Sequence, residues 1–437
     1  MTNPSVDARP VAGIFFPLRP SLRLDSHGFS PTISGKIVRA AARTGSFAAA
    51  AESLNDEAEV AISDRQVGRI AHEVGDQLRD RRDRRVEASR EGSAAPEVAV
   101  APRLAAVFVD GGRLRTRAEE PGRGAGVHDP AWREDKVANL LTMHTEVHEQ
   151  DPHPELPRCF TKEREVVELV QGVSGQGALA DGTDAGEEVP PALTVFEPAT
   201  DEEEGPRWPP EPLVRTCQAT LASSEEFGPM VAAEAQRRNS LAAQARAFLG
   251  DGGAWIWTLQ RTYFPTFEPI VDFVHVLTYI YLAAEAAGGP ATAVWKRYLG
   301  WAQACWQGRV AAVLEELRAV QGTMAAPPEG QEAKPTDPYE VIRVTIGYLT
   351  NDRERMDYPR YRRAGLPICS GLVESLIKQF NRRVKGTEKF WNPTRAERIL
   401  QLRAAYLSED ERLAKHLKSR PISPFRRYQA TKRRKAG

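Results

Sequence analysis

The sequence predicts an α/β fold, and three features of the chain predict it. An apolar run, Ala105–Val109, stops at Asp110-Gly111-Gly112 and has the character of a buried strand. Two further strand-like runs, Val137–Met143 and Leu213–Ala222, follow before any long amphipathic helix and can form an antiparallel meander with the first. Helix and strand then alternate through Glu225–Arg238, Ala245–Gly250, Ala254–Phe264 and Glu268–Val271, the pattern of strands joined by helical crossovers.

The elements upstream of the sheet are helical. Residues up to about Ile33 are Pro-rich and polar, without periodicity. Gly35–Arg43 carries Ile37, Val38, Ala41 and Ala42 on one side; Thr44-Gly45 makes a turn; Ser46 caps a helix over Phe47–Leu54. Ser63 or Asp64 caps a third helix reaching about Leu78, with Val67, Ile70 and Val74 at helical spacing. This helix-turn-helix-like arrangement suits a major-groove reader, and Arg65, Gln66 and Arg69 would project from the first turns of its last helix. The run Arg79–Arg85 could track phosphates; a small helical bundle with a solvated charged face has the same pattern. Residues 86–104 are rich in Ala, Ser, Pro and Glu and are expected to be a linker.

Within and beyond the sheet, residues 171–211 are rich in Gly, Pro, Asp and Glu and predict an exposed, partly disordered insertion. Val274–Ala287, Ala291–Leu317 and Pro338–Asp352 predict helices, too much helix for one sheet connection and therefore an all-α insertion over 273–365. Cys369–Leu407 is again helical and opens a basic C-terminal part.

Bulk properties bound the function. A length of 437 residues predicts two or three domains, and 41% apolar content suffices for their cores. The net charge is zero, yet beyond Glu374 there are 18 Lys and Arg against 5 Asp and Glu, an electrostatic footprint for DNA offset by acidic middle segments. Cys159, Cys217, Cys305 and Cys369 are scattered, which fits a reducing compartment and neither a disulfide framework nor a Cys metal site. The N-terminal residues lack a signal-peptide pattern, and the longest apolar run, Phe273–Ala287, is short for a membrane span. A soluble, cytoplasmic, nucleoid-associated protein with no membrane partner is expected.

Three widely spaced acids carry the candidate chemistry. In a sheet of this strand order, which matches the ribonuclease-H-like (retroviral-integrase-like) core, the first and fourth strands lie side by side. Asp110 and Asp251 end those two strands. Glu374 lies near the start of a helix whose apolar stripe is Leu372, Val373, Leu376, Ile377 and Phe380, with Lys378, Arg382 and Lys385 at roughly helical spacing and Arg383 beside them. Carboxylates so placed suit one or two hard divalent cations, Mg²⁺ or Mn²⁺, acting on a phosphodiester, although Glu and Lys four residues apart are also a common surface pair. Asp272 is the alternative second acid; strand order selects Asp251 and leaves Asp272 and His275 as accessory residues. Five tryptophans, at 255, 257, 295, 301 and 306, are expected mostly in the core, whereas Trp391 could stack on a base.

VFVDGGRLR (107–115), WREDKVANLLTMHTE (132–146), LVRTCQATLASSEEFGPMVAAEAQRR (213–238), LGDGGAWIWTLQRTYFPTFEPIVDFVHVL (249–277) and GLVESLIKQFNRRVKGTEKFW (371–391) stand in this order along the chain. In these stretches the sequence resembles the DDE transposases of bacterial insertion sequences related to the Mutator superfamily, in particular the Kra-type family. The resemblance implies Asp110 as the first catalytic Asp, Asp251 as the second and Glu374 as the terminal Glu. Asp272-Phe273-Val274-His275 fits the follow-up motif of that family, and the charged cluster Arg133, Glu134, Asp135 and Lys136 is characteristic of it.

The expected organisation is therefore a DNA-binding region at 1–85, a linker at 86–104, a catalytic core at 105–272 resumed at 366–410 around the all-α insertion, and a basic tail at 411–437. The expected activity is metal-dependent cleavage at transposon ends and strand transfer into target double-stranded DNA, by at least a homodimer. A transposase-derived DNA-binding protein without catalysis, and a nuclease of this fold without strand transfer, remain as alternatives.

Overall fold

A computed structural model describes residues 24–25, 27–117, 130–178, 208–328, 333–369, 379–380, 383–384 and 391–420, without the side chains of 130–131 and 174–178. The chain divides into two compact units, one within Met1–Ala71 and Glu411–Gly437, the other within His72–Asp410.

In the first unit, α1 (Pro31–Arg43) and α2 (Phe47–Ala58) are followed by the beginning of α3 (Asp64–Arg90). Local chemistry sets these starts: Ser30, Ser46 and Ser63 each accept a backbone N–H from the first turn that follows. Ile37, Val38, Ala41, Val67 and Ile70 are buried, and the Phe47 ring lies over Gly68, where a Cβ would come within 3.1 Å of it. Helix α13 (Arg412–Ser419) packs on α1. Ser46→Ala should lower the stability of this unit by about 1 kcal/mol, measurable as an earlier thermal transition, because it leaves the Ala49 N–H without its cap.

The second unit is an α/β structure around a five-stranded mixed sheet of order β3-β2-β1-β4-β5. β1 (Leu104–Arg117), β2 (Pro130–His144) and β3 (Glu211–Thr220) pair antiparallel, and β4 (Ala245–Gly250) and β5 (Glu268–Val271) run parallel to β1. The meander and the β1–β4 neighbourhood are as the sequence predicts. Between these strands lie α4 (Glu163–Ala178), α5 (Ser224–Arg237) and α6 (Ala254–Tyr263). Ser223 and Glu226 form a capping box at the start of α5.

After β5 come α7 (Phe273–Ala286), α8 (Ala291–Trp306), α9 (Val310–Gly322), α10 (Pro338–Asp352), α11 (Tyr358–Arg363) and α12 (Pro393–Leu407). Phe273 is fully buried among the rings of Phe160, Trp306 and Tyr358, which fixes the start of α7. Behind it Arg362, wholly buried, donates from Nε to Asp151 at 2.8 Å and lies 4.2 Å from the Trp306 ring centre. Although burial raises the Asp151 carboxyl, hydrogen bonds from Arg362 and from the His153 backbone hold it below the usual carboxylate range.

Helix α12 seals the sheet edge. The outward backbone N–H groups of β3 and the turn after it donate to side chains of this segment: Arg215 to Glu409, Cys217 to Ser408 and Leu221 to Glu397. Gln401 in turn donates to the Ala219 carbonyl. An edge strand that would otherwise offer bare donors and acceptors is thus paired.

Several elements differ from their sequence expectation. β1 does not stop at Gly111-Gly112 but continues to Arg117, with Gly112 opposite Asp135. The glycine there makes room for a cross-strand carboxylate instead of a turn: a Cβ at Gly112 would come within 2.8 Å of Asp135 Oδ1. β2 correspondingly begins at Pro130 and not at Val137, so the charged cluster 133–136 lies within the strand. α3 runs to Arg90, and Glu97 N–H donates to the Arg237 carbonyl, so part of the expected linker is packed structure. Ala291–Leu317 is two helices, broken at Gly308 with φ +72°. Of the expected insertion at 171–211, residues 171–178 belong to α4 and Trp208 is buried, while 179–207 lie outside the described residues. Among the described residues no helix is long and apolar enough to cross a membrane.

Candidate functional site

Two acids meet because two parallel strands end together. Val109 on β1 is registered against Gly250 on β4, so the next residues, Asp110 and Asp251, stand abreast. β4 stops there: Gly252 has φ +106°, a left-handed turn that a side chain resists, and a Cβ would press on Tyr348 at 2.5 Å. The turn is pinned by Tyr348, whose hydroxyl donates to the Asp251 carbonyl at 2.9 Å and whose ring stacks on Tyr279 at 3.9 Å. Asp251 Oδ1 accepts from Gly253 N–H at 2.8 Å, which orients the carboxylate at the start of α6.

Asp110 is perturbed most. Burial first, and the Asp251 charge second, push its carboxyl up to about 7; His275 and the Gly111 N–H act the other way, and Asp272 adds a smaller upward push. Asp251 thus acts on Asp110 more strongly than Asp272 does. Asp272 is 2% exposed and has a structural role, in which Oδ1 accepts from Val274 N–H at 3.1 Å and caps α7. His275 Nε2 lies 3.8 Å from Asp272 Oδ2. Asp352, at the end of α10, is raised by burial and by Asp251, with Arg355 opposing at 3.0 Å. Nothing in the pattern of α10 singled out Asp352 or Tyr348.

On the other face of β1, Lys136 is 6% exposed, 2.9 Å from Glu134 and 5.5 Å from the Trp255 ring centre. It is registered against Gly111, one residue beyond Asp110. Trp257, Trp301 and Trp306 are buried as expected, while Trp255 and Trp295 are half-buried.

Glu374, Lys378, Arg382 and Lys385 lie outside the described residues. Arg383 and Trp391, expected at the DNA surface, pack on each other: Arg383 is 2% exposed with its guanidinium 5.4 Å from the Trp391 ring centre, and burial together with Arg403 brings it down to about 10. Trp391 is anchored by backbone hydrogen bonds to Arg115 and Arg117 and by its indole N–H to the Val384 carbonyl. In the first unit Arg65 and Arg69 are exposed on the side of α3 opposite Val67 and Ile70, and Gln66 is half-buried at the margin of that buried face.

Among the described residues no group of three His, Cys, Asp or Glu side chains converges to ligate a metal ion. The Asp110–Asp251 pair nevertheless has the chemistry of such a site: hard oxygen donors, abreast, with burial and the Asp251 charge opposing ionisation of Asp110 until a cation offsets them. The chain matches no protein-family model and no curated protein sequence.

Proposed function

We propose that this chain is a DNA transposase with a ribonuclease-H-like core, cutting at the ends of its own element and joining the freed 3′-OH to target DNA. The observation that carries the reading is the placement of Asp110 beside Asp251 on neighbouring parallel strands, in a sheet whose order brings the first and fourth strands together. Asp110, Asp251 and Glu374 would hold one or two Mg²⁺ or Mn²⁺ ions, which activate an attacking oxygen and stabilise a leaving one when bound. The Gly253 N–H and the Tyr348 anchor hold Asp251 in place, and Asp272 keeps α7 and His275 beside the pair. Arg65, Gln66 and Arg69 on α3 read the element ends, and the basic residues beyond Glu374 hold phosphates. At least two copies act on paired ends.

The test is a cleavage and joining assay with the full chain, Mg²⁺, duplex DNA spanning each boundary of the chromosomal element that carries the gene, and a supercoiled plasmid target. Cuts at the boundaries followed by covalent joining are expected, both absent in EDTA. Cutting without joining would leave a nuclease, and binding without cutting a regulatory DNA-binding protein; either result overturns the proposal.

A further inference from the structure

Helix α7 runs past the acid pair, and one of its faces stays partly open. In its first turns Val274, Val276, Leu277, Thr278 and Ile280 are buried, whereas His275 and Tyr279, about one turn apart, are half-buried. Both residues neighbour the acids. The His275 charge acts on Asp110. Burial first, and the Asp251 and Asp352 charges after it, raise the Tyr279 phenol above its ordinary 10, which sets its hydroxyl beside those carboxylates. The open face of α7 therefore lies along the acid pair.

Tyr279 is locked in place there. Its ring stacks on Tyr348 at 3.9 Å with 18° between the planes, and the Tyr348 hydroxyl is committed to the Asp251 carbonyl at 2.9 Å. The stack thus ties the Tyr279 ring to the end of β4. The Tyr279 hydroxyl itself has no hydrogen-bond partner among the described residues. Phenol hydroxyls in such settings ordinarily have an acceptor. A phosphodiester entering this site brings negative charge to a place that already holds two carboxylates. A lysine or arginine at 279 would pair with those carboxylates and compete with a cation for them. A neutral phenol donates without that competition, and a ring already held by stacking loses little freedom when it does so.

We propose that Tyr279 is a substrate-binding residue of the acid site, its hydroxyl donating to a non-bridging oxygen of the DNA phosphate on which the site acts. The choice of DNA rests on the function proposed above. The contact itself is tested by binding, without catalysis.

The experiment measures binding of the full chain to fluorescein-labelled duplexes spanning a boundary of the element, by anisotropy in Ca²⁺, a cation that takes carboxylate oxygens. A methylphosphonate, which puts a methyl group in place of one non-bridging oxygen, is set in turn at each phosphate around the boundary, as separated diastereomers. Tyr279→Phe keeps the ring and its stack and removes only the donor. It should weaken binding of the unmodified duplex about tenfold. At one phosphate the preference between diastereomers should also change by about tenfold from wild type to Tyr279→Phe, because only one diastereomer keeps the oxygen that the hydroxyl meets. Unchanged affinity in Tyr279→Phe, or an equal loss on every duplex with all diastereomer preferences intact, would overturn the proposal. A wild type that binds none of the boundary duplexes overturns this contact and the transposase reading together. Wild-type cleavage in Mg²⁺ without the coupling removes the contact and leaves the transposase reading. The coupling in a protein that never cuts removes the enzyme reading and leaves the contact.

Discussion

Asp110→Asn should lower Mg²⁺-dependent DNA cleavage roughly a thousand-fold while DNA binding survives, because it removes one of the proposed metal ligands and touches none of the helices proposed to read DNA. The same substitution should stabilise the metal-free fold. In the wild type the Asp110 carboxyl titrates near 7, above its ordinary 3.8, so the folded state loses stability as pH rises through that window. Asp110→Asn carries no such charge, and in EDTA at pH 8 it should melt above the wild type, with the difference vanishing below pH 4. Its companion is Asp251→Cys, where Mg²⁺ activity should vanish and Mn²⁺, which accepts a thiolate more readily, should restore part of it. Asp272→Asn should keep measurable Mg²⁺ activity, since an amide oxygen still caps Val274 N–H. Mn²⁺ rescue of Asp272→Cys with loss of all Mg²⁺ activity in Asp272→Asn would move the second acid to the end of β5. Near-normal cleavage by Asp110→Asn would remove that residue from the site altogether.

The second large effect is on stability. Asp151→Ala should cost about 3 kcal/mol in urea unfolding at pH 7, because it strands the Arg362 guanidinium, which is wholly buried, beside Trp306. The lower end of the range for breaking a buried pair applies, since Asp151 is 18% exposed and solvent screens part of the interaction. The pH dependence has a definite sign. The folded carboxyl is held below its ordinary 3.8, so its contribution is fully present above that value and is lost as pH falls through the folded one. Wild type and variant should therefore converge in acid. A constant gap down to pH 2, or no gap at pH 7, would show that the pair does not act as an ionic anchor.

Where sequence and structure agree, one local signal was enough. β4 and β5 have the bounds their apolar runs predict, because Gly252 and the Asp272 cap punctuate them sharply. The Asp110–Asp251 neighbourhood followed from matching the strand order to a core in which the first and fourth strands are adjacent. Where they differ, a residue type had two physical uses. Gly111-Gly112 has the composition of a turn, yet it serves as a gap in a strand for Glu134 and Asp135 across the ladder. Arg383 has the composition of a DNA surface, yet it is buried against Trp391. Tyr348 and Asp352 reach Asp251 from a helix about a hundred residues downstream, a long-range contact that no periodicity encodes.

The bonds between α12 and β3 bear on what partial products of this gene can do. A polypeptide ending before residue 393 lacks Glu397, Gln401, Ser408 and Glu409 and leaves the β3 ladder open along its outer side. Such an edge can pair with the next copy of itself, so chains cut short before residue 393 are expected to self-associate, which light scattering would detect.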